Sequence, residues 1–146
     1  MFAGDAPAKD VAPYWIAQVA GAVVAAFVAV FLVGKSGTPM EIKNIPAAFV
    51  AEFLFTFALT YVVLNVATAK GTAGNSFYGW AIGMTVMAGA FSVGAISSGA
   101  FNPAVAIGAA VMKLVDFGQI WLHLVADLAG GLMAGLAFNF LNPEDK

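Results

Sequence analysis

Four runs of about twenty residues, almost free of charge, constrain this chain more than any other feature. They are Tyr14–Val33, Ala47–Ala69, Tyr78–Ile96 and Ile120–Leu141. A hydrocarbon core about 30 Å thick is crossed by about 20 helical residues. A helix satisfies its own backbone hydrogen bonds there, where water does not. The runs are separated by polar, turn-forming stretches, GKSGTPMEIKNIP and KGTAGNS. Tyr78, Trp80 and Trp121 lie near span ends, where aromatic rings favour the headgroup region. The pattern predicts an all-α, multi-pass membrane protein in one domain over residues 1–146, with the lipid bilayer as its first partner.

Composition excludes the alternatives. The chain is 62% hydrophobic, carries 16 glycines and is only 10% charged. So small a globule still exposes about a third of its unfolded surface, so a soluble enzyme has nowhere to hide that apolar excess. The six cations, Lys9, Lys35, Lys43, Lys70, Lys113 and Lys146, are scattered and the net charge is −2. No basic patch exists for nucleic acid, which needs clustered Lys or Arg. With no cysteine, one histidine and scattered carboxylates, the sequence offers no metal-ligand spacing and implies no cofactor. Ser97 and Ser98 have no evident base beside them, which argues against nucleophilic catalysis. Threading the spans puts three lysines on each side, so charge does not set the orientation.

One segment fits neither span nor loop. GAISSGAFNPAVAIGAAVMKL begins with small residues and turns apolar and helical from Asn102 to Met112. Such a helix reaches about 16 Å, roughly half the hydrocarbon core, and reads as re-entrant. Asn102 is a strong N-cap, and Pro103 at the first helical position surrenders an N–H that would be orphaned anyway. The stretch from Gly94 to Phe101 must then be buried in protein or line a cavity. Broken helices at membrane depth mark substrate pathways.

Small residues recur at helical spacing. Ala17, Gly21, Ala25 and Ala29 fall every fourth position, and Gly79/Gly83 and Gly131/Gly135 are GxxxG pairs, which predicts close packing along those faces. Tyr14–Ala26 also echoes His123–Gly135, sharing Ala17/Ala126, Ala20/Ala129, Gly21/Gly130 and Ala25/Ala134. A true repeat and a chance match in Ala/Gly-rich sequence are evenly weighted on these positions alone.

SSGAFNPAVAIG resembles the Asn-Pro-Ala box of the aquaporin and glycerol-facilitator (major intrinsic protein) family. AEFLFTFALTYVVLNVA resembles that family's Glu-bearing helix, and PYWIAQVAGA its third helix. The resemblance covers Pro13–Phe140. It implies a partial aquaporin-like fold of four transmembrane helices plus one re-entrant half-helix, corresponding to the family's third to sixth helices and second half-helix. MFAGDAPAKDVAPYW resembles the family's connection leaving the first half-helix, which yields the expectation that Met1 is an internal methionine of a longer reading frame.

The resemblance assigns roles residue by residue. Asn102, Pro103 and Ala104 would form the pore tip, with the Asn102 amide donating to a permeating molecule and the half-helix dipole repelling cations. The filter positions fall on Ala90, Gly99 and Val105. Val105 stands where an Arg is usual, which removes five donors and a fixed charge and implies a wider, more apolar filter. Glu52 would accept N–H bonds from the re-entrant loop, and Gln18 would brace it similarly. Asp127 has no family counterpart and reads as paired, protonated or facing a subunit contact. His123 reads as an interfacial group near a span mouth.

Three functions compete. The leading one is a channel, not an enzyme, passing water or small uncharged solutes, oligomeric (tetrameric by family analogy) and in the plasma or inner membrane. A non-conducting remnant associating through Gly/Ala faces is second. A small proton-coupled carrier using Glu52 and Asp127 is third.

Overall fold

The structure, a computed structural model, describes residues 8–145. Met1–Pro7, read above as part of a connecting segment, lie outside the described residues. Five helices follow in order: α1 (Ala8–Val33), α2 (Ile45–Ala67), α3 (Tyr78–Ser97), α4 (Pro103–Val111) and α5 (Ile120–Leu141). The protein is all-α, and α1, α2, α3 and α5 are long and apolar enough to cross a membrane.

The helix ends follow local chemistry. Asn44 Oδ1 accepts from Ala47 N at 3.1 Å and caps α2. Asn102 Oδ1 accepts from Ala104 N at 2.8 Å and caps α4. In both cases proline occupies the first turn, where it costs no hydrogen bond. The expected start of the first span at Tyr14 is corrected: α1 begins at Ala8 and carries Pro13 inside it. Pro13 still lies near the helix start, so its ring costs one backbone bond to the Lys9 carbonyl and does not end the helix. Asp10 in the first turn favours the positive helix end. The second span also ends two residues earlier than its apolar run, because Thr68 Oγ1 turns back to the Leu64 carbonyl at 2.6 Å.

The connections define two faces of the molecule. At one, the 34–44 segment pairs with the 112–119 segment: Gly37 N donates to Met112 O at 2.9 Å and Met40 N to Leu114 O at 3.1 Å. Gln119 clamps Ile42 there, accepting from its N–H at 3.1 Å and donating to its carbonyl at 3.0 Å. At the other, Lys70 N donates to Asp145 Oδ1 at 3.0 Å, and Lys70 Nζ donates to the Glu144 carbonyl. Helices α2 and α5 run between these faces. Helix α4 returns to the first face after starting in the interior, so the 98–111 segment enters and leaves on one side.

Helix α2 packs chiefly against α5 and then α3, while α1 packs on α4. Two small clusters anchor the ends of the α2–α5 pair. Ile42, Ala48 and Leu122 form one, and Leu64, Ala69 and Phe138 the other. Glycines outside the predicted pairs make close backbone approaches between helices, while of the predicted positions Gly135 is buried. A Cβ on Gly130 would meet the Phe53 carbonyl oxygen at 2.5 Å, and one on Gly108 the Ala22 carbonyl oxygen at 3.2 Å. Gly21, Gly79 and Gly83 have open space around them. In a membrane the unpacked face is as apolar as the packed one, so small-residue spacing alone does not say which face carries the contact.

This packing sets a contrast between adjacent glycines. Gly130→Ala forces a methyl against backbone that has no room to yield, and is expected to cost about 1–3 kcal/mol. Gly131→Ala, whose Cβ would sit 3.7 Å from Thr60 Oγ1, is expected to be neutral. Thermal unfolding in detergent, followed by circular dichroism, checks both: only the Gly130 variant melts earlier.

Candidate functional site

The site is built where α3 ends. Ser98 caps that helix in the left-handed region at φ 77°, Gly99 follows at 64° and Phe101 at 51°. Left-handed backbone is disfavoured for residues with a Cβ by roughly 1–2 kcal/mol, so something must hold Ser98 and Phe101 there. Glu52, fully buried on α2, supplies the grip. Its Oε1 accepts from Ser97 Oγ at 2.5 Å and Ala100 N at 3.1 Å, and its Oε2 from Phe101 N at 2.8 Å. Ser97 Oγ in turn accepts from Gly99 N at 3.2 Å. The Phe101 ring packs on Phe55 with centroids 5.4 Å apart. A Cβ on Gly89 would lie 2.5 Å from that ring, so only glycine leaves it room.

His123 belongs to the same cluster, and this corrects its reading as an interfacial group, although it does lie in the first turn of α5. It is fully buried on α5, with Nε2 2.7 Å from the Ser97 carbonyl oxygen. A carbonyl only accepts, so Nε2 carries the proton and donates. The same nitrogen is 3.9 Å from Glu52 Oε1. The absence of a base near Ser97 is corrected too, since Glu52 holds its hydroxyl. All three side chains are nevertheless sealed from solvent and occupied with the loop, which leaves no accessible nucleophile. The signal for His123 was present in the spacing: His123 and Asp127 are four apart on α5, as Glu52 and Thr56 are on α2, so each pair shares a helix face.

One turn deeper, Thr56 Oγ1 donates to Asp127 Oδ1 at 2.9 Å. Asp127 is 2% exposed, and its Oδ2 has no partner among the described residues. Thr56 thus partners one oxygen of Asp127 and leaves the other open, which does not choose among the paired, protonated and subunit-facing readings. Asp127 and Thr56 lie in the wall of a cavity of about 330 Å³. Asn102, Pro103 and Ala104 line the same cavity at the start of α4, and Gln18 and Trp15 line it from α1.

The remaining expected residues are distributed differently. Gln18 is exposed into this cavity and makes no side-chain hydrogen bond among the described residues, so it does not brace the loop. The loop is held instead by Glu52, with Ser97 and His123 beside it. Ala90 and Val105 are exposed and Gly99 is half-buried, and none of the three lines the cavity. Among the described residues no cluster of His, Asp and Glu suits a metal ion.

The sequence profile of the major intrinsic protein family, MIP, matches residues 1–138, extending the likeness N-terminally of Pro13. The probable aquaporin TIP2-2 of Arabidopsis thaliana is 38% identical over 133 residues, covering 86% of this chain and 52% of its own length. The probable aquaporin NIP-type of Nicotiana alata is 31% identical, with 98% of this chain and 54% of its own length covered. Aquaporin Z of Rhodopseudomonas palustris is 31% identical, with 97% and 65% covered. The chain thus spans about half to two thirds of the length of these relatives. A re-entrant half-helix capped by Asn102 and gripped by a buried glutamate, together with a profile match over most of the sequence, places the chain in the major intrinsic protein family.

Proposed function

We propose that this chain forms the permeation element of a passive membrane channel for water and small uncharged solutes. The observation that carries the reading is the re-entrant half-helix α4, whose Asn102 tip stands beside a cavity at membrane depth. The Asn102 Oδ1 is committed to capping Ala104 N, which turns its Nδ2 toward other acceptors. The positive end of α4 at the same point disfavours cations, protons included. Relatives printed as aquaporins support the same direction.

In this reading Asn102, Pro103 and Ala104 form the pore tip, and Ala90, Gly99 and Val105 contribute a filter that is wide and apolar. Val105 in place of a cation favours solutes larger than water. Glu52 keeps the loop in register. The channel works as an oligomer, tetrameric by family analogy, in the plasma or inner membrane. A proton-coupled carrier would need both Glu52 and Asp127 free to exchange protons, whereas the two Glu52 oxygens already take three donors and only Asp127 keeps an open oxygen. Catalysis has no part in it.

Stopped-flow light scattering on proteoliposomes tests the reading. Water and glycerol permeability are expected to exceed those of protein-free vesicles. Asn102→Asp is expected to lower glycerol flux by about tenfold, equivalent to about 1.4 kcal/mol in the barrier, because it exchanges a donor for a charge. Permeability at the lipid baseline despite verified insertion contradicts the proposal. Val105→Arg is expected to depress glycerol flux more than water flux, since it restores donors and bulk to the filter. Equal effects on both solutes would remove Val105 from it.

A further inference from the structure

Hydrogen bonding around Glu52 leaves one place unfilled. An ionised carboxylate accepts at about four lone-pair sites, two on each oxygen. Glu52 Oε1 takes two donors, Ser97 Oγ and Ala100 N, whereas Oε2 takes only Phe101 N. His123 Nε2, 3.9 Å from Oε1, is spent on the Ser97 carbonyl. Asp127 poses the complementary problem. Its Oδ1 accepts from Thr56 Oγ1 at 2.9 Å, while Oδ2 is buried and has no donor among the described residues. The Asp127 and Glu52 carboxyl groups lie within hydrogen-bonding reach of each other. Two acceptors in contact bond only if one of them carries a proton.

The surroundings offer nothing else to reconcile the pair. Two negative charges in contact repel strongly in a buried site. Helices α2, α4 and α5 carry no lysine or arginine. The other ionisable side chain of α2, Tyr61, packs on Phe138, and α3, packed on α2, brings only Tyr78 at its start. Helix α1 presents Trp15 and Gln18 to the cavity, with its charged Lys9 and Asp10 more than two turns before Gln18. His123, the titratable neighbour on α5 itself, supplies no positive charge, because its buried Nδ1 has no acceptor among the described residues for a second N–H. A single proton removes the conflict. As a hydroxyl, Asp127 Oδ2 becomes a donor, and the open site on Glu52 Oε2 accepts from it.

We propose that Asp127 is a positioning residue for the re-entrant loop: its protonated carboxyl group donates from Oδ2 to Glu52 Oε2 and completes the set of donors that holds Glu52 on residues 97–101. Thr56 orients the acid through its other oxygen. The proton stays between two fixed oxygens and is not passed to a permeating molecule. Asp127 also stands in the cavity wall with Asn102, Pro103 and Ala104, so the shared proton keeps a second negative charge away from the half-helix tip. When the medium becomes alkaline enough to remove it, the two carboxylates repel and the loop loosens. The assignment concerns loop support, and its test does not depend on whether the chain conducts.

Infrared spectroscopy in nanodiscs reads the proton directly, since a protonated carboxyl group absorbs above the amide band and a carboxylate does not. The native chain is expected to show this absorption at neutral pH and to lose it in alkaline medium. Asp127→Asn is expected to lack it at neutral pH. Asparagine still offers an oxygen to Thr56 and adds an N–H for Glu52, so it mimics the protonated acid. Protection of the Ala100 and Phe101 amides against hydrogen exchange is therefore expected to match the native chain in Asp127→Asn at neutral pH. In alkaline medium it is expected to persist in that variant while the native chain loses it. Asp127→Leu, which has no donor, is expected to lower the protection about tenfold, the worth of about one hydrogen bond. If circular dichroism shows that the leucine variant does not fold, the infrared spectra and the asparagine comparison decide alone. No protonated-carboxyl absorption at neutral pH overturns the inference. So does an absorption that survives Asp127→Asn and vanishes in Glu52→Gln, which puts the proton on Glu52, or an asparagine variant less protected than the native chain.

Discussion

The carboxylate of Glu52 is the interaction on which the rest of the molecule depends. A chain that breaks its helix inside the membrane leaves backbone N–H groups where neither water nor a sheet can take them. Glu52 takes two of them, from Ala100 and Phe101, and the Ser97 hydroxyl besides. Burying a carboxylate costs several kcal/mol on its own, but charge-assisted bonds are about twice as strong as neutral ones. Three together offset that cost and hold the left-handed turns at Ser98 and Phe101. The direction of α4 follows, and with it the position of Asn102.

The α2–α5 interface carries two polar tiers with different roles. In the upper tier Glu52 and His123 converge on the 97–101 loop, and both are fully buried. In the lower tier Thr56 and Asp127 face the cavity, and one oxygen stays open. The tiers are one helical turn apart on both helices, so a single packing register sets them together. Gly130 fixes that register, since its missing side chain lets α5 approach the Phe53 carbonyl. The two tiers are thereby held at a constant spacing, and each leaves one buried polar atom without a partner among the described residues, His123 Nδ1 in the upper and Asp127 Oδ2 in the lower.

Much of this was legible in the residues because it rests on local rules. Asn-Pro before a short apolar helix predicts a cap and a half-length element, and α4 begins at Pro103 with Asn102 capping it. The span count follows from length and hydropathy. What escaped the sequence was the direction each side chain faces. Helices α2 and α5 are apolar nearly all round, because lipid and protein interior reward the same residues. His123 therefore looked interfacial, Gln18 looked like a brace, and the Ala17–Ala29 stripe looked like a contact. Only the spacing of polar groups breaks that degeneracy, and the paired i, i+4 placements of Glu52/Thr56 and His123/Asp127 carried the register. Pro13 shows the converse limit, since a residue that ends helices in their middle is tolerated near their start.

Amide hydrogen exchange at Ala100 and Phe101 tests the central claim most directly. Both residues lie in a loop with no helical or sheet partner, so ordinary loop behaviour would leave their amides unprotected. If Glu52 anchors the segment, the two amides in the native chain in nanodiscs exchange as slowly as those in the middle of α2, and Glu52→Gln speeds them while leaving α2 unchanged. Exchange at the unprotected rate in the native chain would contradict the account.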